Sequence, residues 1–168
     1  MINDRLSEIN GTIGIGLALI HAERFDDAIS QFESILGSKH PDAYFGLASA
    51  KFLKGKSNLS LSEIIEIGNH YQTAIELKPD FADAHYMSGL LFGHIASRLF
   101  QKYEQDPYNK ANDPASIKKA LRIAMHRAEM AANLNPNYGN VVQSDLNRYN
   151  DMLVRLYIAR KENKAKLN

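Results

Sequence analysis

The chain has 168 residues, 45% apolar and 23% charged, with 20 basic against 19 acidic side chains and a net charge of +1. That length and balance fit one domain able to bury its own core; they argue against wholesale disorder and against a basic footprint for nucleic acid spread over the whole molecule. The absence of cysteine removes disulfides, thiolate zinc sites, iron–sulfur clusters and cysteine nucleophiles together, and is compatible with a reducing cytosol.

The first predicted helix covers about 3–22. Its longest apolar run, Ile13 to Ile20, is interrupted by Gly14 and Gly16 and falls far short of the roughly 20 residues a membrane helix needs. Asn3, Asp4, Arg5, Glu8 and Asn10 before it do not form a basic signal-peptide start, and no small-residue cleavage site follows. A soluble, cytoplasmic protein is expected. The glycines of GTIGIG (Gly11, Gly14, Gly16) lack the Gly-x-Gly-x-x-Gly order, follow no strand and precede no Gly-Lys-Ser/Thr. They read as sites of close helix contact, not as a phosphate loop.

A second helix, about 25–37, opens on Asp26 and Asp27, whose charges complement the helix dipole. No nucleophile accompanies them to suggest catalysis. The third, about 41–54, starts at Pro41 and is stopped by Gly55. Ser60 and Glu63 have capping-box spacing for the fourth, about 60–77. The fifth covers about 81–104. After it, two Asp-Pro steps and several asparagines mark a loop before the sixth, about 115–134. The seventh covers about 138–163, and no stretch shows strand alternation between turn signals.

The six histidines (His21, His40, His70, His85, His94 and His126) contain no His-x-x-x-His pair, and no serine lies in Gly-x-Ser-x-Gly context. No catalytic residue, metal site or cofactor is therefore expected, and the chain reads as a non-enzyme.

One pattern recurs three times: a small or aliphatic residue, an aromatic or small residue four on, another three further, then a proline. The copies are Ala28, Phe32, Ile35, Pro41; Ile67, Tyr71, Ala74, Pro79; and Ala124, Ala128, Ala131, Pro136. Steps of four and three place the first three members on one helical face; the proline ends that helix and opens the next. These positions resemble the second helix and exit proline of the tetratricopeptide (TPR) family. The sharpest stretch is YQTAIELKPDFADAHYMSGLLF, through Tyr71, Ala74, Pro79, Ala84, Gly89 and Phe92; Gly16, Phe25, Ala28 and Phe32 carry a second match, and AMHRAEMAANLNPNYGN a weaker third. The copies are 39 and 57 residues apart, so insertions of about 5 and about 23 residues separate them relative to a plain array.

The resemblance implies an all-α, TPR-like stack (an alpha-alpha superhelix) of about three antiparallel hairpins with a long C-terminal capping helix. It reads as one domain over 1–168, with repeats at roughly 9–41, 42–79 and 80–136 and the cap at 138–163. Gly16, Ala48 and Gly89 would let paired helices approach, with Phe32 and Tyr71 filling the space between repeats. The family uses the first helix of each hairpin to line a concave groove for a peptide or helix of another protein. Aligning Gly16, Ala48, Gly89 and Leu146 assigns to that groove Ile13, Leu17, Ile20 and His21; Phe45, Ser49 and Phe52; Tyr86, Leu90 and His94; and, on the last helix, Asn140, Gln143, Asn147, Asn150 and Asp151. The Lys/Arg/Asn set with which some members clamp a terminal carboxylate is missing, which disfavours a chaperone-tail role.

Apolar anchors near Phe45, Phe52, Tyr86 and Leu90, with side-chain amides of Asn147 and Asn150 for the partner's backbone, are the expected mode. Two readings stand for Phe45, Phe52 and Tyr86, groove contact or repeat-packing core. The amide face of the last helix also fits a solvating cap. Val142, Leu146, Tyr149, Leu153 and Leu156 form its inner apolar line. Leu99, Phe100 and Tyr103 are expected to pack on the last two helices, and the basic tail Arg160, Lys161, Lys164 and Lys166 reads as a solvated helix end. The leading expectation is an adaptor, assembly factor or chaperone-like scaffold. Alternatives are a self-assembling structural subunit or, against the near-neutral charge, an RNA-associated repeat protein.

Overall fold

The computed structural model describes residues 2–56, 58–109 and 111–166. Among them the chain forms seven α-helices and no strand: α1 (Ile2–His21), α2 (Phe25–Ile35), α3 (Pro41–Gly55), α4 (Leu61–Leu77), α5 (Ala82–Gln105), α6 (Pro114–Leu134) and α7 (Gly139–Lys166). Each lies within a few residues of its expected span.

The helix starts follow from local chemistry. At α4 the capping box is complete: Glu63 N–H donates to Ser60 Oγ at 3.3 Å, and Ser60 N–H donates to Glu63 Oε2 at 2.7 Å. At α6, Asp113 accepts from the N–H groups of Ala115 at 3.0 Å and Ser116 at 3.1 Å, ahead of Pro114 at the first helical position. His40 caps α3 by accepting from Asp42 N–H at 3.3 Å.

The second helix ends earlier than expected. It closes at Ile35 into a single 3₁₀ turn, Leu36–Ser38, and the chain reverses at Lys39 with φ 56°. Ser38 draws the turn tight, its hydroxyl donating to Ile35 O at 2.6 Å while accepting from His40 N–H at 3.2 Å. A lysine, not the nearby Gly37, therefore occupies the left-handed position.

The chain divides into two compact units, Met1–Met87 and Ser88–Asn168. In the first, α1 packs on α2 and α3, α2 on α3, and α3 on α4. The ring of Phe32, fully buried, fills the space left by two glycines: a Cβ built on Gly16 of α1 would lie 2.5 Å from Phe32 Cζ, and one built on Gly46 of α3 would also overlap the ring. Ala28, Leu47 and Ala50 complete this cluster, with Leu17, Leu19 and Ile20 packed against it. A second cluster joins Ala74, Ile75, Phe81 and Ala84, with Tyr44 and Phe45 against it.

In the second unit, Ala96, Phe100 and Tyr103 of α5 meet Ile117, Ala120, Leu121 and Ala124 of α6 and Tyr149, Met152 and Leu156 of α7. Leu99 and Leu153 pack at its margin, so the outward extension of α5 is covered within its own unit. A Cβ at Gly89 would stand 3.1 Å from the Ala124 carbonyl oxygen, the close backbone approach for which a glycine was expected there. Of the nine helical positions of the three repeat copies, only Ile35 is not buried; it is half-buried.

Candidate partner-binding surfaces

The expected groove residues divide between the two units. Within the first, Ile13, Ser49 and Phe52 are buried. Ser49 accepts a hydrogen bond from the Tyr71 hydroxyl at 3.3 Å, and burial pushes the Tyr71 phenol well above its usual pKa, that bond opposing the shift. Leu17 and Ile20 are half-buried against the Phe32 cluster. Phe45, half-buried, stacks on Phe81 with ring centroids 4.9 Å apart and lies 6.3 Å from Tyr71. Its ring is thus engaged in packing. Tyr86 is half-buried and His21 exposed. The surface that α1, α3 and the start of α5 offer is therefore narrower than the list read from the sequence: Leu17, His21, and the open parts of Phe45 and Tyr86.

Within the second unit, Leu90 and His94 are half-buried. Asn140, Gln143, Asn147, Asn150 and Asp151 are all exposed on α7, with the Gln143 amide donating to Asn147 Oδ1 at 3.0 Å. Of the basic tail, Lys161 is described, with its ammonium 4.9 Å from the Tyr157 ring centroid; the side chains of Arg160, Lys164 and Lys166 lie outside the described residues.

A cleft of about 360 Å³, which no reading of the sequence singled out, opens in the first unit between α2, α3 and α4. Ile29, Leu59 and Ile67 give it apolar walls; Lys51, Lys54, Glu63 and Glu66 give it charge. Lys51 Nζ lies 2.6 Å from Glu66 and 3.5 Å from Glu33, and Lys54 pairs with Asp26. Partial burial works against the Lys51 charge, but the bonds and charges of Glu66 and Glu33 outweigh it, so its pKa lies above the ordinary lysine value. The same lysine bond holds Glu66 below the carboxylate range. Glu66, Glu33 and Asp26 are engaged by lysines and Glu63 by Ser60, and no group of three or more His, Asp or Glu among the described residues is placed to hold a metal ion.

His70, 3.6 Å from Glu66, has its pKa lowered by burial, which Glu66 only partly offsets. Both Glu66 and His70 therefore bind protons more weakly in the folded chain than in the unfolded one. Their contribution to stability is present at neutral pH and is lost as pH falls, first below the usual histidine value of 6.5 and then below the carboxylate value of 4.5. Urea midpoints measured across this range should decline, and His70→Gln should flatten the limb nearer neutrality. An unchanged slope in that variant would assign the decline elsewhere.

No family model matches the chain. Among curated proteins it is similar to Superkiller complex protein 3 of Mus musculus, 26% identical over 149 residues that make up 86% of this chain and 9% of that protein. The chain thus spans under a tenth of that relative's length. Among solved structures, the crystal structure of MamA superposes with a TM-score of 0.51 at 18% identity, over 94% of this chain and 81% of that one. That superposition, added to the recurring pattern of small, aromatic and proline positions, decides the fold. The chain has a TPR-like, all-α repeat fold. In this TPR-like frame the Phe32 ring lies against Gly16 of its own hairpin and also against Gly46 of α3, so it fills space toward the next helix pair as well as within its own, and α7 covers the apolar faces of α5 and α6 within its unit. No helix among the described residues is long and apolar enough to cross a membrane.

Proposed function

We propose that the chain is a cytoplasmic protein-interaction scaffold (an adaptor, assembly factor or chaperone-like module) in which residues 1–168 act as one TPR-like domain. It binds a peptide or helix of a partner protein along the face shared by first helices of neighbouring hairpins. The observation that carries this reading is that α1 packs directly against α3 as well as against α2, so that two first helices lie side by side, with Leu17 and His21 on one and Phe45 on the other. Tyr86, at the start of α5, extends the same unit's surface; in the second unit, taken by itself, Gln143, Asn147 and Asn150 are exposed on α7 and would offer polar contacts there. Burying one or two apolar partner side chains there would contribute roughly 1.5–3 kcal/mol each, enough to set specificity. No step of this role calls on catalysis, a cofactor or a metal.

The test is selection of peptides from a displayed random library against the intact chain. The combined variant Leu17→Ala, His21→Ala, Tyr86→Ala should weaken the selected peptides by at least about tenfold at a temperature where circular dichroism shows it as helical as the parent; because Leu17 also packs against the Phe32 cluster, its thermal midpoint should fall somewhat. Peptides that bind the variant as tightly as the parent would place recognition elsewhere and overturn the reading.

A further inference from the structure

On α7, at about 100° per residue, Gln143, Asn147, Asn150, Val154, Tyr157 and Lys161 follow one another by steps of four and three and form a single outer stripe, with Ile158 on its edge. The opposite face of the same helix, Val142, Tyr149, Met152 and Leu156, is buried. The stripe changes character halfway. Its first half is the exposed amides; its second half leaves Val154 57%, Tyr157 57% and Ile158 49% exposed. The helix needs none of these three for its own core, and contiguous apolar surface rimmed by polar side chains marks a place of contact.

The geometry restricts what the contact is. An α-helix presents no open backbone edge to an extended strand, whereas a four–three stripe matches the ridges of a second helix. Charge restricts it further. From Arg148 to Asn168 the sequence carries six basic side chains (Arg148, Arg155, Arg160, Lys161, Lys164, Lys166) against two acidic ones (Asp151, Glu162), so this stretch alone is at +4 in a chain whose net charge is +1. Lys161 stands in the stripe itself, and Arg155, which pairs with Glu104 and lies 3.9 Å from Asp151, borders it. Two copies of this face would bring like charges together, which disfavours self-pairing; an acidic helix meets opposite charge along its length. A bilayer would bury the amides of the first half without partners, whereas a partner helix supplies polar side chains to them.

We propose that this stripe docks an amphipathic helix of acidic character from a partner protein, its apolar side chains on Val154, Tyr157 and Ile158 and its carboxylates toward Lys161 and Arg155. The inference rests on the scaffold reading, but its anchors, Val154, Tyr157, Ile158 and Lys161, are none of the residues that reading assigns to its partner. The probe is a labelled synthetic helix of about 20 residues, leucines at four–three spacing flanked by glutamates, titrated against the intact chain by fluorescence anisotropy. It should bind, lose affinity with added salt, and bind at least about tenfold more tightly than the same peptide with lysines for glutamates. Val154→Ser with Ile158→Ser, and separately Lys161→Glu, should each weaken it about tenfold with melting unchanged, since all three side chains are exposed. Peptides selected on the α1–α3 surface should keep their affinity for these variants, so failure here and failure of the scaffold reading give different results. Four outcomes would each overturn the proposal: no binding of the acidic helix, equal binding of the basic one, a dimer in sedimentation that the Val154/Ile158 variant abolishes, or adhesion to phosphatidylserine vesicles that the same variant abolishes.

Discussion

Phe32→Ala is expected to remove about 3–5 kcal/mol of stability, read as the shift of the urea-unfolding free energy in the intact chain. The ring is fully buried and meets helices on both sides, through the bare backbones of Gly16 and Gly46. Neither glycine has a side chain to relax into the vacated space, and Ala28, Leu47 and Ala50 around it are small or already packed, so the cavity should stay largely open. The same geometry predicts a reversal of sign. Gly46→Ala in the parent forces a methyl group into the ring and should cost about 1–3 kcal/mol; in the Phe32→Ala background that methyl partly refills the hole, so the cost should vanish or become a gain. Equal effects of Gly46→Ala in both backgrounds would mean that the two positions do not share a space.

The second large effect belongs to α7. Tyr149, 1% exposed, projects its ring toward Gly93 of α5, where a Cβ would overlap the ring edge and hydroxyl. Tyr149→Ala should cost about 3–5 kcal/mol, because the ring stands in the middle of the cluster formed by Phe100, Leu121 and Leu156. Tyr149→Phe should cost far less, since the hydroxyl makes one long contact, accepting from the Arg148 guanidinium at 3.4 Å, close to the limit of a hydrogen bond. Burial raises the phenol's pKa, with the Asp145 charge adding to it, so the group stays neutral through the physiological range and contributes packing. If Tyr149→Phe proved as damaging as Tyr149→Ala, the hydroxyl and not the ring would be holding α7 in place.

The fold was readable because its determinants are local in the sequence. The Ala28/Phe32, Ile67/Tyr71/Ala74 and Ala124/Ala128/Ala131 sets repeat at helical spacing, and each is buried; Ser60 with Glu63, and Pro41, announced their helix starts from within four residues. What stayed hidden depends on partners distant along the chain. Gly46 and Gly93 lie outside the aligned small positions, and only the structure shows that aromatic rings from other helices rest on them. The bridge from Lys51 to Glu33 and Glu66 joins three helices, and charges on amphipathic helices do not announce which opposite charge they will meet. The candidate surface was legible only in part. Periodicity separates inner from outer faces of a helix, but it does not tell a half-buried groove aromatic from one engaged by a neighbour, as Phe45 is by Phe81. The amide stripe of α7 was visible in the sequence; its continuation into Val154, Tyr157 and Ile158 was not, because periodicity does not say whether a neighbouring helix covers an apolar side chain.

The connection between α5 and α6 closes on itself: the Asn112 side-chain amide donates to the carbonyls of Lys102 at 3.1 Å and Asp106 at 2.8 Å, clasping the end of one helix just before Asp113 caps the next. Lengthening a segment whose two ends are already pinned close together adds only a slowly growing entropy of closure. Evolution or an engineer can therefore splice new sequence beside the exposed Tyr108, a peptide tag or a small reporter domain, without disturbing how α6 seats on its neighbours.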